Sequence, residues 1–146
     1  MSAASVGLAA VDSAARVLEH GRVLEHSEVL DTRRLEQLFA IEQRGAPGYV
    51  ASLCAAFLSD APHRLQRLQA ALTCGDAAAL QDEAHGLRSS AATVGALLVA
   101  RCCAALEEAS KAGDKAELGV LLQTLTQQLA RAEPLLARLS RTNTSG

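Results

Sequence analysis

The chain has 146 residues and a formal net charge of -2, and 49% of its residues are hydrophobic while only 2% are aromatic. This length favours a single domain, and an aliphatic composition poor in aromatic residues favours helices over strands. The small net charge and the few aromatic side chains give no case for nucleic-acid binding. No apolar stretch is long enough to cross a bilayer, and the N-terminus lacks the basic region of a secretory signal. We therefore expect a cytoplasmic protein that binds neither nucleic acid nor membrane.

The first part of the chain, residues 1–27, differs in pattern from the rest. It contains a near-repeat, RVLEHG followed by RVLEHS, whose spacing fits neither a helix nor a strand. A separate apolar stripe does fit the helical period and stops at Gly21, so we expect a partly helical N-terminal extension with a short extra helix. The stripe consists of Leu8, Val11, Ala15 and Leu18.

Three stretches rich in Gly, Pro and Asp divide the remaining sequence into segments with apolar residues at helical spacing. The dividing stretches are RGAPG at 44–48, CGD at 74–76 and AGD at 112–114, with Gly95 as a further interruption. The predicted helices cover 30–43, 48–73, 76 to Gly95, 96–112 and 115–139. Asp76 and Asp114 are the expected N-caps of two of them. Pro62 should kink or interrupt the second helix, and Pro134 should bend the end of the last one.

Short connections between long amphipathic helices make neighbouring helices antiparallel. The sequence therefore predicts an all-α fold, an antiparallel up-down four-helix bundle over 28–140 with the additional N-terminal helical segment. Residues 141–146 have the composition of a disordered tail. The expected core residues are Leu30, Leu35, Leu38, Phe39, Ile41, Tyr49, Leu53, Phe57, Leu65, Leu68, Leu72, Leu80, Ala84, Leu87, Ala91, Val94, Leu97, Leu98, Ala104, Ala105, Leu106, Leu118, Leu121, Leu122, Leu125, Leu129, Leu135 and Leu136.

The four cysteines are Cys54, Cys74, Cys102 and Cys103. Adjacent residues on a helix point about 100° apart, so Cys102 and Cys103 do not form a C-x-x-C pair. Neither a zinc site nor a redox motif is predicted, and we expect reduced, mostly buried thiols.

Residues 83–96, EAHGLRSSAATVGA, surround one histidine with a glycine and many small residues. At about 100° per residue, His85 lies about 140° from Leu80, well off the apolar face of its predicted helix. The imidazole should therefore be exposed. The residues that share its strip of the helix surface are Ala78, Gln81, Arg88, Ser89 and Ala92.

This arrangement suits the acceptance of a phosphoryl group that another protein presents. A neutral imidazole is a nucleophile near neutral pH, small neighbours leave room for the phosphate, and a guanidinium stabilises its charge. No P-loop glycine motif occurs, so the chain has no evident means of making its own phosphodonor. The predicted site residues are His85 as phosphoacceptor, Arg88, Ser89 and Gln81 as phosphate-stabilising residues, and Ala78, Ala92 and Ser90 as residues that leave space for docking, with no metal ligand among them.

The segment AHGLRSSAATVGA resembles the signature of the histidine-containing phosphotransfer (HPt) domain family, which runs roughly Ala-His-x-Leu-Lys-Gly-Ser-Ser followed by Gly-Ala. The upstream segments VLD, LEQL and YVASLCAAFLSDAPHRLQRLQAALTCGDAAAL and the downstream LEEASKAGD are also similar to that family, so the resemblance covers residues 29–130. It implies a four-helix bundle whose exposed histidine accepts a phosphoryl group from a receiver-domain aspartate and passes it to another receiver.

Under this resemblance His85 matches the phosphorylated histidine, Arg88 the family's lysine, Ser90 one of the small residues that follow, and Gly95 the later glycine. Two departures stand out. Arg88 keeps the positive charge of lysine but presents it as a planar fork. Ser89 stands where the family usually has Gly, and its hydroxyl could either hydrogen-bond the phosphate or crowd an approaching receiver.

The resemblance further implies a monomeric covalent carrier without its own catalytic turnover. Its partners would be receiver domains of response regulators or hybrid sensor kinases. It would need no cofactor, since any Mg²⁺ would belong to the receiver. Two alternatives stay open: a module that binds a receiver or kinase with little or no phosphotransfer, and a purely structural helical bundle.

Two groups of charged residues have a functional and an ordinary interpretation. Glu107 and Glu108 could suggest acid/base chemistry, but adjacent carboxylates on a helix usually form a solvated face. Arg64 and Arg67 could join Arg88 in a basic patch for an acidic partner, or they could be ordinary surface arginines.

Overall fold

The computed structural model describes residues 29–142, and within this range the chain forms helices and no strand. The helices are α1 (Thr32–Gln43), α2 (Tyr49–Cys74), α3 (Ala77–Val94), α4 (Leu97–Ala112) and α5 (Lys115–Thr142). Helices α2 to α5 form the bundle: α2 packs on α3, α3 on α4, α4 on α5, and α5 closes the ring against α2. The predicted all-α four-helix bundle is therefore confirmed, whereas the extra helix expected within 1–27 lies outside the described residues.

Helix α1 lies across the end of the bundle where α3 turns into α4. The backbone N–H of Asp31 donates to the carbonyl of Gly95 at 2.7 Å. Gly95 ends α3 at φ 78°, and a Cβ there would lie 3.3 Å from the Asp31 carbonyl oxygen. Glycine is therefore needed at this position for the left-handed conformation as well as for the close approach of α1.

Aspartate side chains cap the N-termini of α1, α3 and α5, whereas the N-cap residues of α2 and α4 supply no side-chain hydrogen bond. Asp76 accepts a hydrogen bond from the N–H of Ala79 at 3.0 Å and caps α3. Helix α2 has no side-chain cap at its own N-cap residue. Instead, Glu42 of α1 accepts the N–H of Val50 at 3.0 Å with a side chain that is only 5% exposed. A carboxylate at a helix N-terminus also interacts favourably with the helix dipole.

Most of the predicted core residues are buried, or lie partly buried against the core. The prediction of a buried side chain is wrong for Ile41, which is 38% exposed while the adjacent Glu42 is buried. The reason is that α1 packs chiefly on α2 and α3 at one end of the bundle, so one side of α1 stays in contact with solvent.

Neither internal proline ends its helix. Helix α2 runs through Pro62, so the predicted interruption is wrong. The proline ring is exposed, so the backbone carbonyl one turn earlier, which lacks an N–H donor, can accept a hydrogen bond from water. Helix α5 runs past Pro134 to Thr142, two residues into the segment expected to be a tail. No helix among residues 29–142 is both long and apolar enough to cross a membrane.

Candidate functional site

His85 projects from the middle of α3 into solvent. Its side chain is 59% exposed, whereas Leu80, Ala84 and Leu87 of the same helix are buried in the core. The helical spacing thus places the imidazole on the outer surface of the bundle, as the sequence predicts. A rigid helix fixes the position of the Cα, and contacts with the neighbouring helix fix the ring.

The contact that fixes the ring comes from Glu107 on α4. Its Oε2 lies 2.9 Å from His85 Nδ1, and its side chain is only 12% exposed. Because an ionised carboxylate can only accept, Nδ1 must carry the proton and donate it to Glu107. The neutral ring then presents an unprotonated Nε2, which is the nitrogen with a lone pair available for reaction.

Arg88 approaches the same nitrogen, which creates a conflict. Its Nη2 lies 3.3 Å from His85 Nδ1, but a protonated Nδ1 cannot also accept a hydrogen bond from a guanidinium. The contact with Glu107 is shorter and, with the opposite tautomer, a carboxylate oxygen would face a lone pair. We therefore assign the proton to the bond between His85 and Glu107.

Arg88 is instead held by its ion pair with Glu107. Its Nε lies 2.9 Å from Glu107 Oε1, although Oε1 is buried and accepts no well-aligned hydrogen bond among the described residues. The Arg88 side chain is 42% exposed, so its outer edge remains accessible. One largely buried carboxylate therefore orients both the nucleophile and its neighbouring cation.

The remaining predicted site residues divide into two groups. Ala78, Ser89 and Ala92 are exposed around His85 and Gln81 is half-buried, which leaves an open surface beside the imidazole. Among residues 29–142, neither Gln81 nor Ser89 hydrogen-bonds to His85. Ser90 does not join them: it lines a shallow groove between α3 and α2.

Sequence reasoning missed Glu107 because it treated two adjacent glutamates as one solvated face. Glu108 fits that expectation, since it is 76% exposed and pairs with Lys111 at 3.2 Å. Glu107 does not fit it. The available signal was its spacing: Glu107 follows the buried Cys103 by four residues, which places it at the edge of the core face of α4.

The arginines of α2 do not form an unpaired basic patch. Arg64 Nε lies 2.6 Å from Asp60 Oδ2, and Arg67 Nε lies 3.0 Å from Glu83 Oε2. Arg64 also lies against Gly86, the residue that follows His85. The sequence offered no reason for a glycine in the interior of α3, and the approach of Arg64 supplies one.

All four cysteines are free. Burial raises the pKa of the Cys54 and Cys103 thiols to about 12, whereas Cys74 is exposed. Of the thiols expected to be mostly buried, Cys54 and Cys103 are buried, Cys102 is partly buried and Cys74 is exposed. No group of three or more His, Cys, Asp or Glu within the described part of the chain could hold a metal ion.

Comparison with known proteins identifies the family. The model of the Hpt domain family matches residues 52–134. Among solved structures, histidine-containing phosphotransfer protein B (HptB) from Pseudomonas aeruginosa PAO1 is 29% identical, with a TM-score of 0.69 over 77% of this chain and 95% of that one. A search of curated proteins returned no match.

Two plant proteins share the fold at lower identity. The histidine-containing phosphotransfer protein ZmHP2 from maize is 19% identical, with a TM-score of 0.76 over 87% of this chain and 96% of that one. A rice protein described as a histidine-containing phosphotransfer protein is 16% identical, with a TM-score of 0.75 over 87% and 94%. At these identities the likeness supports the helical bundle alone.

Because the family model spans more than half of the chain, the protein belongs to the Hpt domain family. Its role is histidine phosphotransfer within a phosphorelay. Hpt domains act as phosphotransfer carriers and interact with receiver domains.

Proposed function

We propose that His85 accepts a phosphoryl group from the aspartate of a receiver domain and passes it to another receiver. The observation that carries this proposal is the 2.9 Å contact between Glu107 Oε2 and His85 Nδ1 on a ring that is 59% exposed. The contact engages Nδ1 inside the protein, and no residue within 29–142 hydrogen-bonds to Nε2, so a partner can reach this nitrogen.

In the transfer step, the Nε2 lone pair of His85 attacks phosphorus and forms an N–P bond. The bond between phosphorus and the aspartyl oxygen breaks, and its electron pair leaves with the carboxylate of the receiver. The ring thereby gains a positive charge while Nδ1 keeps its proton. Glu107 is already hydrogen-bonded to Nδ1 and stabilises that charge without rearrangement. The second transfer reverses these changes on another receiver.

The phosphoryl group needs positive charge and room on the surface of α3. Arg88 supplies the charge from the accessible edge of its guanidinium, and the Ser89 hydroxyl and the Gln81 amide on the same strip of α3 would donate further hydrogen bonds. Ala78 and Ala92 keep the approach open for a receiver. Because Ser90 faces α2, its role would be in docking alone.

The remaining properties follow from the carrier role. The protein takes up and releases one phosphoryl group and has no catalytic turnover of its own. It works as a cytoplasmic monomer without a cofactor, and Mg²⁺ is supplied by the receiver, where it neutralises charge during transfer.

The test measures transfer from a panel of radiolabelled phospho-receivers to the wild type and to His85→Gln. We expect label on the wild type that is acid-labile and base-stable, and none on His85→Gln. His63→Gln is the matched control, since His63 is another exposed histidine on the bundle surface, and it should accept label normally. If both histidine variants accept label as the wild type does, His85 is not the phosphoacceptor.

A receiver-binding module without efficient transfer is the main alternative, with Ser89 as the obstacle. The exposed side chain of Ser89 lies one turn from His85, so a receiver must pass close to it. Ser89→Gly separates the two functions. A large gain in transfer would identify the hydroxyl as an obstacle, whereas an unchanged rate would remove that argument. If receivers bind the wild type yet none loses phosphate to it, the binding module is the better account.

A further inference from the structure

Arg64 of α2 crosses the backbone of α3 immediately beside His85. A Cβ on Gly86 would overlap Arg64 Nη1 and would lie 3.0 Å from Cζ and 3.5 Å from Nη2. The guanidinium therefore occupies the space that any other residue at position 86 would fill. In the interior of a helix, glycine is less stable than alanine, so this gap has a cost in stability.

Two carboxylates hold the Arg64 side chain in this position. Asp60 Oδ2 lies 2.6 Å from Nε, and Glu83 Oε1 lies 3.5 Å from Nη1, at the limit of a hydrogen bond. Among the described residues, Nη2 makes no hydrogen bond. With a side-chain exposure of 27%, Arg64 thus carries unused N–H donors beside the residue that follows the histidine.

Gly86 and Arg88 lie on opposite sides of His85 around the axis of α3, so the guanidinium over Gly86 and that of Arg88 flank the histidine. Arg88 lies towards α4, where it is paired with Glu107, and Arg64 comes from α2 over Gly86. A phosphoryl group on His85 would carry about two negative charges and three acceptor oxygens, more than one cation can satisfy. The guanidinium of Arg64, on the side of His85 opposite to Arg88, adds a second positive charge.

We propose that Arg64 is a second residue that binds the phosphoryl group on His85. The missing side chain at Gly86 leaves the space that the Arg64 guanidinium occupies. This inference rests on the proposed function of His85. The competing explanation is a purely structural ion-pair network between α2 and α3. Arg67 provides the comparison, because it pairs with the same Glu83 at 3.0 Å but is more exposed, at 51%.

The first experiment measures the equilibrium of phosphoryl transfer between a phospho-receiver and the wild type, Arg64→Gln or Arg67→Gln. Losing one charge-assisted hydrogen bond to phosphate should shift the equilibrium about tenfold away from phosphohistidine in Arg64→Gln. In ³¹P NMR, the phosphohistidine resonance of Arg64→Gln should titrate at higher pH than that of the wild type. Arg67→Gln should match the wild type in both measurements. Equal shifts for the two variants, or no shift for Arg64→Gln, would overturn the proposal.

The second experiment uses Gly86→Ala, alone and combined with Arg64→Gln. The added methyl displaces a flexible side-chain end and favours the helix, so the variant should fold with an unchanged or raised melting temperature. Gly86→Ala should shift the transfer equilibrium as Arg64→Gln does, and the double variant should show no further shift. Additive shifts of the transfer equilibrium would overturn the proposal that Gly86 acts by leaving space for Arg64.

Failure of this inference can be told apart from failure of the proposed function. If the wild type accepts label and His85→Gln does not, but Arg64→Gln behaves as the wild type, only the role of Arg64 is refuted. If the wild type accepts no label from any receiver, the phosphoacceptor role of His85 fails, and the role of Arg64 fails with it.

Discussion

Glu107 on α4 and His85 on α3 are 22 residues apart in the sequence, yet Oε2 of one lies 2.9 Å from Nδ1 of the other. The carboxylate is largely buried and the imidazole is largely exposed. The two nitrogens of the ring therefore differ, since Nδ1 is hydrogen-bonded to Glu107, while no residue within 29–142 hydrogen-bonds to Nε2.

The first prediction concerns this pair. Glu107→Ala should lower the rate of phosphoryl transfer about tenfold, because Nδ1 loses the acceptor that orients the ring and stabilises its developing charge. Glu107→Gln keeps an acceptor oxygen without the charge, so its loss should be smaller. Transfer kinetics measure both effects, and ¹⁵N NMR of the imidazole should show the Nδ1–H tautomer in the wild type and a mixture in Glu107→Ala.

Glu108→Ala is the matched control, because Glu108 is the adjacent glutamate on the solvent side of α4. It should leave the rate and the tautomer unchanged. An unaltered tautomer in Glu107→Ala would contradict the assigned hydrogen bond.

The second prediction concerns the open surface around the histidine. Ala92→Trp should reduce transfer at least tenfold by blocking the approach of a receiver, because Ala92 is exposed on the same face of α3. Its melting temperature should stay close to that of the wild type, since no core contact changes. Ala130→Trp places the same bulk on an exposed position of α5 and should transfer normally. Equal rates in the two variants would show that receivers do not dock over Ala92.

The third prediction concerns the cap of α2. Glu42→Ala should lower the free energy of unfolding by about 1–2 kcal/mol, because the buried N–H of Val50 loses its acceptor. Glu42→Gln retains an acceptor and should cost less. Chemical denaturation measures the effect, with the exposed Glu36 of the same helix as control. A Glu36→Ala variant as destabilised as Glu42→Ala would argue against the cap.

The fourth prediction concerns the buried thiols and alkaline pH. Burial raises the pKa of Cys54 and Cys103 from 9.0 to about 12. Above pH 9 the unfolded chain releases thiol protons that the folded chain retains, so the unfolded state binds fewer protons. The free energy of unfolding should therefore fall as pH rises from 9 towards 12, by on the order of 1 kcal/mol per pH unit for each thiol.

The double variant Cys54→Ala, Cys103→Ala tests whether these two thiols cause the loss of stability at alkaline pH. It should be less stable at neutral pH because of the cavities it creates, but its stability should decline less steeply above pH 9. A decline as steep as that of the wild type would mean that other groups cause the alkaline loss.

The fold was largely predictable because its signals are local. Apolar residues at helical spacing identified the helices, and an aspartate after each of two glycines marked where α3 and α5 begin. The errors arose where packing decides. Ile41 and Glu42 are adjacent, and only the way in which α1 crosses the bundle end exposes the first and buries the second.

Sequence patterns predict the helices of the bundle, the exposed position of His85 and the cation three residues after it, because each depends on angles within one helix. Tertiary structure alone decided that Glu107 engages Nδ1 and that Arg64 crosses Gly86. Each contact joins two residues that lie 22 positions apart in the sequence and on different helices: His85 with Glu107, and Arg64 with Gly86. Helical periodicity gives the direction of a side chain around its own axis, but only the packing of one helix against another determines what that side chain meets.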